Sequence, residues 1–321
     1  MSAPLRVAVI GVGHLGRHHV RLMSSMPGVT FVAAVDLVAD RARAAAPPGC
    51  EILTDSRALL GRVDAVTIAV PTRHHLDVAR PFLERGVHVL VEKPMTASLA
   101  EADEMIGLAN ASGAVLAVGH SERFNPAIQA ALPILRTPRF VEVHRLSEFP
   151  ERSLDIDVIF DVMIHDLDIV SAVANSPVAS VEAVGVPVLT PRIDIANARI
   201  RFESGCIANL TASRISRDKV RKVRFFQPDM YVSVDYAEQE LDVWRLRPRP
   251  GERPAIEGGK VEVPKGEPLG LEIADFIGAI REGRTPQVPG EEGRRALELA
   301  TRVADAIAAS PWPQDREPWR S

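Results

Sequence analysis

The sequence predicts an α/β protein: an N-terminal doubly wound parallel sheet, followed by a second α/β domain built mainly on antiparallel strands. Three observations carry this expectation. An apolar run, Val7 to Ile10, ends in a glycine-rich turn and leads into an amphipathic helix. Strand and helix patterns then alternate up to residue 120, as βα units do. From residue 139 onward several extended segments follow one another without helices between them, which argues for antiparallel pairing.

The first domain begins with "LRVAVIGVGHLGRHHVRLM". Its continuous apolar run suits a strand buried on both faces. Gly11-Val12-Gly13-His14-Leu15-Gly16 is a GxGxxG placed between that strand and a helix. A second strand, "VTFVAAVD", ends in Asp36 about twenty residues on, as the Rossmann fingerprint requires. Gly11 makes the tight turn, Gly13 lets the backbone approach a pyrophosphate, and Gly16 lets the helix pack against the strand. The helix N-terminus then holds the phosphate charge. Asp36 is expected to bond the adenosine ribose and repel a 2′-phosphate, which favours NAD over NADP. Arg41 and Arg43 lie near enough in sequence to keep NADP open.

The alternation continues through "DAVTIAVP" (64–71), "HHLDVARPFLERG", "VHVLVEKP" (87–94), "SLAEADEMIGLANASG" (98–113) and "AVLAVGH" (114–120). Ser98 is the expected N-cap of the fourth of these, with Glu101 in capping-box position. Ligands on such sheets bind at the carboxyl ends of the strands. Those ends read Gly11 to Gly16 (His14 and Leu15 included), Asp36, Pro71-Thr72, Glu92-Lys93-Pro94 and His120. His14 and His18 have the i, i+4 spacing of metal ligands, but the expected pyrophosphate competes for that helix end, so no metal is assigned. His75 lies near the nicotinamide end of this edge, or else caps a helix or faces water.

The second domain opens after "ERFNPAIQAALPIL". It contains "RFVEVHRLSEF" (139–149), a helix over 158–174, and the strands "SVEAVGVPVL", "IDIANARIRFESGCIANLTAS", "KVRFFQPDMYVSVDY" and "ELDVWRLRP". The stretch 247–268 is rich in Pro and Gly and reads as a loop or irregular hairpin. Two helices close the chain. The expected domains are 1–121 for NAD binding and 122–321 for substrate binding and oligomerisation, with the last helix able to pack back on the first domain. The helix around "DVIFDVMIHDLDIV" (157–170) is largely apolar, yet Asp157, Asp161, His165 and Asp168 share one stripe, because residues four apart differ by only about 40°. Such a stripe faces either water or an enclosed cleft.

The bulk numbers exclude several classes. At 321 residues with a formal charge of −4, the chain has room for two cores and shows no nucleic-acid signature. "RISRDKVRKVR" (214–224) is locally basic but alternates like an exposed strand. Two cysteines, Cys50 and Cys206, give neither metal spacing nor a disulfide framework. No apolar run spans a membrane and no signal-peptide pattern precedes the first strand, so a cytoplasmic protein is expected.

Taken in order, the GxGxxG, the "AVPTRHH" turn (69–75), the "EKP" (92–94) and a helix bearing "DVMIHDLD" (161–168) resemble the Gfo/Idh/MocA oxidoreductase family. The resemblance covers nearly the whole chain. It implies a second domain with a large, open, mostly antiparallel sheet. It also implies catalytic roles for Lys93, Asp161 and His165, and it turns the polar stripe toward the cleft. "VGHSERFNPA" (118–127) and neighbouring stretches resemble the branch containing UDP-N-acetylglucosamine 3-dehydrogenases, which serve lipid A amino-sugar synthesis. That implies oxidation of C3 of a sugar nucleotide, with an aminotransferase as pathway partner. Dehydrogenation of an inositol-type polyol or a UDP-hexuronic acid is the alternative within enzymes. A non-catalytic NAD-binding regulator is the alternative outside them.

Oxidising a carbinol needs a hydride acceptor, a base and a group that holds the oxygen. His165 is the expected base, since an imidazole titrates near neutrality. Lys93 would polarise the hydroxyl and Asp161 would orient the substrate or His165. A lysine whose pKa is lowered by burial could serve as the base instead. Arg123 and Asn125 are candidates for substrate or diphosphate contacts, or for a structural turn at the domain junction. Arg214, Arg217 and Lys219 are available cations for a diphosphate. The sheet face not covered by helices needs a partner, so a homodimer or homotetramer is expected.

Overall fold

A computed structural model of the chain describes residues 3–136, 138–149, 156–249 and 253–309. It divides into two compact units, Met1–Gln129 with Val263–Leu297, and Ala130–Glu262 with Glu298–Ser321.

The first unit is the expected alternation: β1 (Leu5–Ile10), α1 (Gly16–Ser24), β2 (Val29–Val35), α2 (Ala39–Ala45), β3 (Glu51–Leu53), β4 (Ala65–Ile68), α3 (His75–Leu83), β5 (His88–Glu92), α4 (Leu99–Ser112), β6 (Leu116–Gly119) and α5 (Pro126–Ala131). The six strands are parallel in the order β3-β2-β1-β4-β5-β6. The order reverses beside β1, so the loops after β1 and β4 flank the switch point where such sheets bind ligands. Register aligns Ile10 with Val35 and Ile68, Ile68 with Val91, and Val91 with Val118, which puts the carboxyl ends on one edge as expected. The short edge strand β3 escaped the sequence reading, because three residues show no period. Ser98 caps α4 by accepting from Glu101 N at 3.3 Å, and Glu101 accepts from Ala97 N at 3.0 Å. Such caps contribute about 1 kcal/mol.

The second unit holds β7 (Phe140–Leu146), α6 (Ile164–Ala174), β8 (Val178–Val186), β9 (Ile195–Phe202), β10 (Ile207–Ser213), β11 (Val220–Gln227), β12 (Met230–Asp235), β13 (Glu240–Arg247) and β14 (Ala255–Val261). Among the described residues these strands form one sheet in the order β14-β13-β12-β11-β7-β10-β9-β8. All its pairs are antiparallel except β7 with β10. One face is closed by residues such as Val141, Val143, Ile200, Leu210, Phe225 and Val232, all nearly inaccessible. The stretch expected as a loop or irregular hairpin forms a hairpin with β13: it contains β14, an edge strand whose Gly258 lies against β13, where a Cβ would come within 1.9 Å of Val243 O. Residues 250–252 of the same stretch lie outside the described residues.

The closing helices are α7 (Pro268–Glu282) and α8 (Gly290–Ala309). The expected boundary at 121/122 needs correction, because α7 returns to the first unit. Its Ile273, Phe276 and Ile277 pack with Val7, Val9, Val20 and Met23 of β1 and α1. Burying three large side chains there stabilises by several kcal/mol, on the order of 1.5–3 each. α8 runs from the first unit into the second.

Candidate active site

In the first unit the glycines behave as their positions require. Gly11 has φ +85°, and a Cβ on it would meet the Ala69 backbone at 2.7 Å. A Cβ on Gly16 would lie 1.8 Å from Gly11 O, so only glycine permits this approach of helix to loop. Nothing lies within 4 Å of a Cβ built on Gly13, which leaves the loop open toward a ligand. His14 and Leu15 are exposed on the same loop. Asp36 is anchored by Val12 N on Oδ2 and Val38 N on Oδ1, both at 2.9 Å. Each oxygen retains acceptor capacity for a ribose hydroxyl. Arg43 is ion-paired to Asp40 and Arg41 is exposed on α2. An open glycine cradle at a helix N-terminus, beside a fixed carboxylate, fits a dinucleotide.

Pro71 is exposed and Thr72 half-buried at the start of a 3-10 turn that leads into α3. His75 is 1% exposed, so the surface alternative for it is excluded. Its Nδ1 lies 3.1 Å from both Pro94 O and Met95 O, and its Nε2 2.8 Å from Val70 O. Burial pushes its pKa down; the carbonyls and the Glu92 charge oppose this and lose. His75 thus ties the 69–72 turn to the turn that bears Lys93. Glu92 is buried too, with Oε1 2.8 Å from His19 Nε2. Lys93 is half-buried and precedes a cis proline, Pro94. Arg123 and Asn125 are buried in the turn after β6. Asn125 Oδ1 accepts from Ala127 N at 3.1 Å, and Arg123 donates to Glu292 at 3.3 Å. These bonds match the structural-turn alternative for both residues.

In the second unit the helix differs from the expected regular one. Ile159–Met163 is a π-helical turn, and α6 continues from Ile164. The wider turn shifts the phase of everything before it. Asp157 keeps a regular helical bond to Asp161, whose N–H donates to its carbonyl at 3.2 Å, but its carboxylate is engaged elsewhere, accepting from Ile193 N at 2.9 Å. Asp168 turns inward and is 1% exposed. Asp161 and His165 remain, both half-buried, one in the π turn and one just after it. π turns inside helices are frequent at functional sites.

Charged pairs missed by the sequence reading fix this helix. Arg145 on β7 grips Asp166 of α6 with Nε–Oδ2 2.6 Å and Nη2–Oδ1 2.9 Å, and stacks over Tyr236. Arg214, offered above for a diphosphate, is 1% exposed and has another task. It bonds Asp194 at 2.9 Å and donates to Ile156 O at 2.7 Å, just before the helix. Lys219 is exposed and paired with Glu148 at 3.1 Å.

Residues 5–120 match the model of the "Oxidoreductase family, NAD-binding Rossmann fold", and residues 136–233 match the "GFO/IDH/MocA C-terminal domain". The chain is 41% identical over 310 residues to the UDP-N-acetylglucosamine 3-dehydrogenase of Acidithiobacillus ferrooxidans, covering 95% of this chain and 98% of that one. The chain belongs to the Gfo/Idh/MocA oxidoreductase family. A solved structure of the Acidithiobacillus ferrooxidans enzyme superposes with a TM-score of 0.89 at 39% identity, covering 96% of this chain and 99% of that one. The NAD-dependent scyllo-inositol 2-dehydrogenase of Bacillus subtilis is 26% identical, covering 96% of this chain and 95% of that one. As a family member the chain is an NAD-binding oxidoreductase with the two-sheet α/β architecture described above. Among the described residues no helix is long and apolar enough to cross a membrane.

Proposed function

We propose that this chain oxidises the C3 hydroxyl of UDP-N-acetylglucosamine to the 3-keto sugar nucleotide, with NAD as cofactor. The observation that carries the reading is 41% identity over nearly the full length to an enzyme of that activity. Lys93, Asp161 and His165 all being present supports it. The residues that would hold NAD are Gly11, Gly13, Gly16, Asp36 and the turns at Pro71-Thr72 and Glu92-Lys93. When bound, NAD supplies the hydride acceptor.

The chain's own groups handle the proton and the charge. His165 takes the hydroxyl proton. Lys93 donates a hydrogen bond to the same oxygen and stabilises it as negative charge develops. Asp161 binds a neighbouring sugar hydroxyl and so fixes which carbon reacts. In this reading, which the resemblance supports, a pyridoxal-phosphate aminotransferase takes up the 3-keto product and the chain serves amino-sugar synthesis for lipid A in the cytoplasm. The chain assembles as a homodimer or homotetramer through the open face of its second sheet.

The test is NADH formation from NAD and UDP-N-acetylglucosamine by the purified chain. Lys93→Ala and His165→Ala should each lower turnover by roughly a thousandfold, to a small residual rate, while calorimetry still shows NAD binding. Near wild-type turnover in both variants would place the chemistry elsewhere.

A further inference from the structure

The turn that carries Lys93 is held from two sides by buried imidazoles. His75, on α3, meets Pro94 O, Met95 O and Val70 O as described above. On the other side stands His19 of α1, with no exposed surface and Nε2 2.8 Å from Glu92 Oε1. Its Nδ1 has no hydrogen-bond partner among the described residues. A buried N–H without an acceptor is costly, so the proton belongs on Nε2, where it is donated to the carboxylate. A donor bonded to an ionised, buried acceptor makes one of the stronger hydrogen bonds available.

Glu92 has little freedom once so held. Its Oε2 accepts from Lys93 N at 3.3 Å. A Cβ on Gly119 of β6 would come 2.9 Å from the same carboxyl group, so β6 packs its bare backbone against it. The chain from His19 through Glu92 to the Lys93 backbone is therefore continuous. It links the helix that begins at the glycine loop to the residue that meets the substrate oxygen.

We propose that His19 is a positioning residue for Lys93, acting through the Glu92 carboxylate. This rests on the role given to Lys93 above. The bond ties the Lys93 backbone, from which the ammonium-bearing side chain starts, to the helix that begins at the glycine loop. It predicts a loss confined to the chemical step.

Steady-state kinetics on His19→Phe, His19→Gln, Lys93→Ala and the double variant His19→Phe/Lys93→Ala test this. His19→Phe should lower kcat by roughly ten- to a hundredfold, the scale of a misplaced catalytic group. The Kd and KM for NAD should stay within about threefold. His19→Gln, whose amide N–H can reach the carboxylate, should recover most of kcat. On the Lys93→Ala background His19→Phe should cost nothing further, because the group it positions is gone. Unchanged kcat in His19→Phe overturns the proposal, as does a full further loss on the Lys93→Ala background. Near wild-type turnover in Lys93→Ala instead overturns the role of Lys93 itself. If His19→Phe does not fold, Glu92→Met removes the same bond from the other side and should show the same loss in kcat.

Discussion

Asp36 accepts one backbone N–H on each carboxylate oxygen, from Val12 in the glycine loop and from Val38. Its charge and its position are thus fixed together, and both bear on cofactor choice. A fixed negative charge repels a 2′-phosphate and accepts ribose hydroxyls. Asp36→Asn keeps one acceptor oxygen and removes the charge. The ratio of kcat/KM for NAD over NADP should then fall by about tenfold or more, equivalent to about 1.4 kcal/mol. Measuring both cofactors at fixed sugar concentration checks this; an unchanged ratio would assign the preference to other groups. Asp36, the glycines and Lys93 are legible in the sequence because each belongs to a short motif with its own local context. The His19–Glu92 bond is not, since it joins residues 73 apart. One signal was available: His19 lies three residues after Gly16, on the same buried face of α1 as Val20 and Met23. An imidazole on an apolar stripe calls for a buried partner, whereas His14 and His18, with metal-like spacing, drew attention to the exposed face.

At the scale of elements, the helix carrying Asp161 and His165 is held at two points by buried charge, one in the first turn of α6 and one just before the π turn. Arg145–Asp166 anchors α6 to β7; removing one partner of such a pair costs roughly 3–5 kcal/mol. Just before the helix, Arg214 donates to Ile156 O and is held by Asp194, which also accepts from Val188, Leu189 and Thr190 N and from the Thr190 hydroxyl. Burial pushes the Asp194 carboxyl up, and these donors outweigh it and bring the pKa to about 2 from 3.8. A carboxyl depressed in the folded state contributes stability above its unfolded pKa and loses it as pH falls toward the folded value. The window is therefore about pH 4 down to about 2, and the contribution at neutral pH is about 2 kcal/mol. Asp194→Asn should destabilise the chain at pH 7 and flatten its urea-unfolding midpoint between pH 4 and 3. An unchanged slope there would remove Asp194 as the source. The sequence showed the polar stripe but not the π turn that breaks it, because side-chain period reports which residues are apolar and not which hydrogen-bond ladder the backbone adopts. For β14 the sequence left a loop and an irregular hairpin open, because Gly258 reads as a breaker where it in fact gives the backbone of β13 room.

For the whole molecule, the parallel sheet and the antiparallel sheet were legible from the presence or absence of helices between strands. The return of α7 to the first unit was not, since an amphipathic helix does not name the sheet it will cover. The proposed oligomer would use an aromatic surface of the second sheet. Pairing across the second sheet aligns Phe140, Phe226, Tyr231 and Trp244 in one transverse row on the face that helices leave open. Trp244 is 42% exposed there and Ile256 on the neighbouring strand 73%. An aromatic row on an open sheet suits burial against another copy of the chain. Light scattering should give a dimer or tetramer mass, and Trp244→Glu should lower it; a monomer at micromolar concentration would contradict this. The measurement that bears most directly on the central claim is NADH formation on mixing the chain with NAD and UDP-N-acetylglucosamine, with a carbonyl trap to draw the reaction forward. Absorbance that rises with this sugar nucleotide, and not with inositol or free N-acetylglucosamine, is the predicted result. No NADH from UDP-N-acetylglucosamine, with NAD binding confirmed by calorimetry, would contradict the assigned substrate.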